Sequence, residues 1–118
     1  MDGNVVQHEW GNEIVWANTE LYKGKILVFK EAGSRTPMQY HNNTLKTFFV
    51  NSGTFQLRHI DTADGQMYDI ELTEGSTFNI NTNKPYQLTA LNAQSSISEV
   101  SNSVENDEFY IVPSGVKE

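Results

Sequence analysis

Three side chains in one short stretch, Gln39, His41 and Lys46, have types and spacing that could do chemistry together. On a strand, residues two positions apart point to the same face, so Gln39 and His41 would enter one cavity. An imidazole can hold a metal or move a proton, and an amide offers a weak neutral oxygen beside it. Lys46 falls on the next strand, Thr44 to Val50, and Lys46, Phe48 and Val50 share one face of it. The chemistry therefore turns on whether Gln39, His41 and Lys46 meet. An ammonium has no lone pair, so Lys46 is not a metal ligand but a fixed positive charge.

The elements that must position these residues read as strands throughout. Glu13 to Trp16, Tyr22 to Lys30, Met38 to His41 and Thr44 to Val50 come first, with Pro37 suited to a strand start. Thr54 to Ile60 places Phe55 and Leu57 opposite Thr54, Gln56 and Arg58. Asp64-Gly65 signals a hairpin into Met67 to Leu72, where Tyr68, Ile70 and Leu72 alternate with Asp69 and Glu71. Phe78 and Ile80, then Tyr86, Leu88 and Ala90, then Ser96 to Ser101 complete the series, and Phe109-Tyr110-Ile111 is an apolar tail expected to pack back on the barrel. No window keeps a helical period, and turn signals recur about every 8–12 residues, which predicts an all-β sandwich or barrel. Phe48, Phe55, Phe78 and Leu88 are expected in the core. Met1 to Val6 and Ser114 to Glu118 are expected to be loose.

The 118 residues are expected to form one domain, 1–118, with a core over about 8–112. At 37% hydrophobic residues the chain can fold. A formal charge of −7 argues against nucleic acid or an anionic membrane as partner, both of which need a basic patch. The absence of cysteine excludes disulfides, thiolate zinc sites and cysteine nucleophiles. The first residues carry no leader pattern and the apolar runs are too short to span a bilayer, so the expected location is the cytoplasm. No Gly-x-Ser-x-Gly elbow supports a serine triad. Asp69 and Glu71 share a face, but it is the solvent face. His8 and His59, with no partner at metal spacing, read as structural or surface residues.

These spacings resemble the two motifs of the cupins, all-β double-stranded β-helices (jelly-roll β-barrels) that carry a ligand site inside. The first motif runs glycine, His-x-His, a glutamate four or five residues on, then a closing glycine. Here Gly53 matches the closing glycine and His41 the second histidine, while Gln39 replaces the first and Lys46 the glutamate. In the second motif Gly75 matches, Asn81 and Asn83 replace a proline and a glycine, and Tyr86 replaces the histidine. Trp10-Gly11-Asn12-Glu13, Tyr22 to Leu27, Glu99-Val100-Ser101 and Glu105-Asn106-Asp107 are similar to the cupins of sugar metabolism, including the type II mannose-6-phosphate isomerase domain with its Gln-x-His.

The resemblance implies a barrel site made of Gln39, His41, Lys46 and Tyr86. An intact motif holds Zn, Mn, Fe or Ni, but here only Gln39, His41 and Tyr86 could, and Tyr86 only as a phenolate. A lysine charge about 4 Å from a divalent cation would be repelled by several kcal/mol even at an effective dielectric of about 20. The expectation is thus a degenerate, metal-free cupin binding a small polar or anionic ligand, a sugar or sugar phosphate. The alternative is a metal-dependent sugar-phosphate isomerase or epimerase, with His41, Lys46 and Tyr86 as catalytic candidates. A third reading is a structural or partner-binding β domain with a filled barrel. A buried Lys46 needs an anion or a nearby acid to keep its proton; otherwise it reaches solvent and only its stem packs. By the same resemblance the chain is expected to be a homodimer, with Trp10 and Trp16 at the interface.

Overall fold

The computed structural model describes residues 4–112, all of whose regular elements are strands. They are β1 (Asn4–His8), β2 (Gly11–Asn18), β3 (Tyr22–Phe29), β4 (Met38–Tyr40), β5 (Lys46–Ser52), β6 (Phe55–Asp61), β7 (Gln66–Leu72), β8 (Thr77–Ile80), β9 (Tyr86–Ala90), β10 (Ser95–Asn102) and β11 (Phe109–Val112). One sheet runs β1-β2-β3-β10-β5-β8 and the other β11-β4-β9-β6-β7, with every pairing between strands antiparallel. The all-β sandwich or barrel expected from the alternation is the observed architecture.

At the ends of the chain one expectation changes and another, that the tail packs back on the barrel, holds. Asn4 to Val6 are not loose: they form most of β1, which pairs residue for residue with β2 across the turn at Glu9 and Trp10. The tail at Phe109 is a strand in its own right. It pairs with β4, and Phe109 stacks on Tyr40 at 5.3 Å. Met1 to Gly3 and Ser114 to Glu118 lie outside the described residues.

Period-two alternation puts one row of each strand inside, and the rows are graded along the barrel. Phe29 and Leu27 of β3 give way to Lys25, Ile97 of β10 to Glu99, and Val50 and Phe48 of β5 to Lys46. At the apolar end Phe29, Val50, Phe55, Leu57, Leu88, Ala90 and Ile97 are at most 1% exposed, and Phe29 meets Phe55 edge to face at 5.0 Å. Phe48, Phe55 and Leu88 are core as expected, and Phe78 packs partly buried against them. Burying such side chains contributes roughly 1.5–3 kcal/mol each. The polar end cannot be sealed the same way, because its charges must be paired or wetted.

Gly53 turns β5 into β6 at φ +82°, a left-handed conformation that favours glycine, and a Cβ there would run into Ser95. The segment before β4 extends the cover of β9: Thr36 N–H donates to Leu88 O and Leu88 N–H to Thr36 Oγ1. No helix among the described residues is long and apolar enough to cross a membrane.

Candidate functional site

At the polar end of the barrel, β4 and β9 place Gln39 directly opposite Tyr86, on the inner face of their sheet. Gln39 Nε2 donates to the Tyr86 hydroxyl at 3.3 Å. One residue beyond β4, His41 is 1% exposed and its Nε2 lies 2.8 Å from that same hydroxyl. The other ring nitrogen, Nδ1, lies 3.1 Å from the backbone oxygen of Asp107. A carbonyl can only accept, so Nδ1 carries the proton, Nε2 accepts, and Tyr86 donates to it. The imidazole is held neutral in one tautomer. Burial first, and then the Lys46 charge, lower its pKa below the ordinary histidine value.

Lys46 does not reach for solvent. Its side chain is 8% exposed, and Nζ lies 3.2 Å from Glu99 Oε1, whose side chain is 6% exposed. Burial works against the ammonium, but the carboxylate more than offsets it and the lysine pKa is raised. The acid that a buried Lys46 requires is therefore Glu99, from the neighbouring strand β10. The ammonium also lies 5.8 Å from the centre of the Tyr86 ring. Burial pushes the Tyr86 phenol up to about 12, against the opposing pull of Lys46. Tyr86 is thus a neutral donor rather than a phenolate.

The four residues singled out in the sequence are brought together, but they do not share one surface. A cavity of about 280 Å³ opens at this end, lined among others by Gln39, Lys46, Glu99, Glu13 and Lys25, with Glu108 and Tyr110 at its mouth. His41 and Tyr86 stand behind its wall rather than among its lining residues. Trp10 and His8 do line it. Trp10 is buried within the chain: it is 7% exposed, stacked between Phe29 at 4.7 Å and His8 at 4.6 Å. Trp16, 55% exposed, lies on the outer face over Gly24.

Glu13, Lys25 and Glu99 lie in the flanking segments similar to the cupins of sugar metabolism but are not singled out there as site residues, and their further sequence signal is a charge on an otherwise apolar row. Lys25 Nζ lies 3.3 Å from Glu13 Oε1. His59 packs against Tyr68 and Phe78 on the far side of Tyr86, and Asp69 is paired with Arg58 on the outside at 2.9 Å.

The donor set is a poor match to a divalent metal. The His41 lone pair that would bind one accepts the Tyr86 proton, the acidic ligand position is an ammonium, and Tyr86 holds its own proton. Among the described residues no three histidine, aspartate or glutamate side chains gather as a metal site would require.

No family model matches the sequence, and no curated protein matches it. Among solved structures, the chain is similar to oxalate decarboxylase from Bacillus subtilis, with a TM-score of 0.80 and 14% identity over 93% of this chain and 30% of that one. That enzyme has Mn(II) centers. The chain is also similar to the capsular polysaccharide assembling protein CapF from Staphylococcus aureus, with a TM-score of 0.82 and 12% identity over 95% of this chain and 33% of that one. It spans about a third of the length of each. At such identity the likeness is one of fold: the chain has the cupin fold, an all-β double-stranded β-helix.

Proposed function

We propose that the open polar end of the barrel binds a small polar ligand, a sugar by preference, without a catalytic metal. The observation that carries this reading is the 2.8 Å contact between His41 Nε2 and the Tyr86 hydroxyl. It satisfies within the protein the lone pair that a metal would otherwise take. In this reading His41 and Tyr86 are positioning residues that hold Gln39 and Lys46 at the cavity wall. The ligand itself meets Gln39, Lys46 and the charged side chains beside them. Convergent polar groups in a concave pocket are what a small-molecule site needs. The similarity of the flanking residues to the cupins of sugar metabolism supports a carbohydrate, and the proposed location is the cytoplasm.

The test is metal analysis of the purified protein together with thermal shift. The expected result is far less than one Zn, Mn, Fe or Ni per chain, and a rise in melting temperature with sugars. Near-stoichiometric metal lost in a His41→Ala variant would overturn the proposal. So would metal-dependent turnover of aldose and ketose phosphates, the outcome expected of an isomerase, in which the metal would stabilise developing enediolate charge.

A further inference from the structure

We infer that the barrel cavity selects an uncharged sugar and rejects the same sugar bearing a carboxylate or phosphate; this rests on the proposed binding role of that cavity. The lining carries charge of both signs, but neither ammonium offers an unbalanced positive charge to an incoming anion. Lys25 is held by Glu13 at 3.3 Å and Lys46 by Glu99 at 3.2 Å. Glu108 at the exposed mouth adds a third carboxylate against the two ammonium groups. With His8 counted as neutral, an anionic ligand would enter a wall with one excess negative charge. It could reach Lys46 only by competing with a carboxylate that is itself 6% exposed and could not be rehydrated.

A hydroxyl group meets none of these obstacles, because it both donates and accepts. Glu13 and Glu99 each use Oε1 toward a lysine, leaving Oε2 to accept from the ligand. Each ammonium has three N–H groups, and Gln39 spends its amide nitrogen on Tyr86, leaving its carbonyl oxygen as a further acceptor. Alternating donors and acceptors on one wall suit the hydroxyls of a pyranose. The apolar side of such a ring has a surface to lie on. Trp10 is covered on both faces, and His8, parallel to it within 9°, carries the outer face of that stack. The volume of about 280 Å³ suits a monosaccharide rather than a longer chain.

Isothermal titration at low salt with size-matched pairs decides the matter: glucose against glucuronate, galactose against galacturonate, mannose against mannuronate. The expected result is at least one neutral hexose bound about tenfold or more tightly than its uronate. Glu99→Gln, which releases the Lys46 charge, should narrow or invert that ratio. Glu13→Gln, at a side chain 18% exposed and safer for folding, should do the same through Lys25. A uronate bound as tightly as its hexose by the unmodified protein overturns this inference and leaves the binding site standing. If no member of any pair binds, the proposed binding role falls, and the charge preference falls with it.

Discussion

At the scale of single residues, the Lys46–Glu99 pair decides the character of the site. Both side chains are almost out of water, and a buried pair is costly to break although not always favourable to have. Lys46→Met alone strands the Glu99 carboxylate and should cost about 3–5 kcal/mol in urea denaturation. Lys46→Met combined with Glu99→Leu should recover most of that loss. A single variant as stable as the parent would mean that the pair is not charged in the fold. The sequence marked Lys46 because a motif expects an acid there, and it required an anionic partner for the lysine without naming one. The partner is 53 residues away. Local spacing cannot measure that separation.

Among the elements, β11 and the turn after β4 depend on one carboxylate. Asp107 accepts from the backbone N–H groups of Asn42, Asn43 and Thr44 at 3.1, 2.9 and 2.8 Å, and from Thr44 Oγ1 at 2.6 Å. The Thr44 hydroxyl above all, with those backbone donors, holds its pKa down at about 2. A depressed carboxyl contributes stability that is complete above its unfolded pKa near 3.9 and lost as pH falls through about 2. Asp107→Asn should therefore flatten the stability curve between about pH 4 and pH 2. It should also speed amide exchange in β11 roughly tenfold, since charge-assisted bonds are the strong ones. Unchanged exchange at Phe109 and Tyr110 would show that the latch does not hold the strand. The Asn42-Asn43-Thr44 triplet is thus a carboxylate-binding turn. Its role was not legible in the sequence, because Asp107 lies 63 to 65 residues further along the chain.

The whole molecule presents an apolar outer face on its first sheet. Trp16, Tyr22, Phe49 and Val100, with Leu21 and Leu45 from the adjoining turns, are 45–79% exposed. Strand register makes the face continuous, since Val100 stands opposite both Thr47 and Gly24, and the Trp16 ring lies over Gly24. Counting half of the 150–250 Å² that a large ring presents gives on the order of 300 Å² for the three rings, to which the two leucines and the valine add. That is a substantial part of the roughly 800 Å² per partner in a stable interface. We propose that a second copy of the chain covers this face, the homodimer expected from the cupin resemblance. Light scattering should give a dimer at micromolar concentration, and Phe49→Glu a monomer that keeps its sugar affinity. A parent protein monomeric at that concentration would refute the pairing.

The sequence by itself determined the strands from β2 to β10, their turns and most of the rows that face inward, because alternation and turn chemistry are properties of neighbouring residues. It also marked Gln39, His41, Lys46 and Tyr86, whose types depart from a known spacing. Only the tertiary structure decided that Glu99 neutralises Lys46 and that Tyr86 occupies the His41 nitrogen. It likewise decided that Glu13, Lys25, His8 and Trp10 line the cavity while His41 and Tyr86 stand behind it. Those relations depend on which strands lie side by side, and long-range packing sets that order.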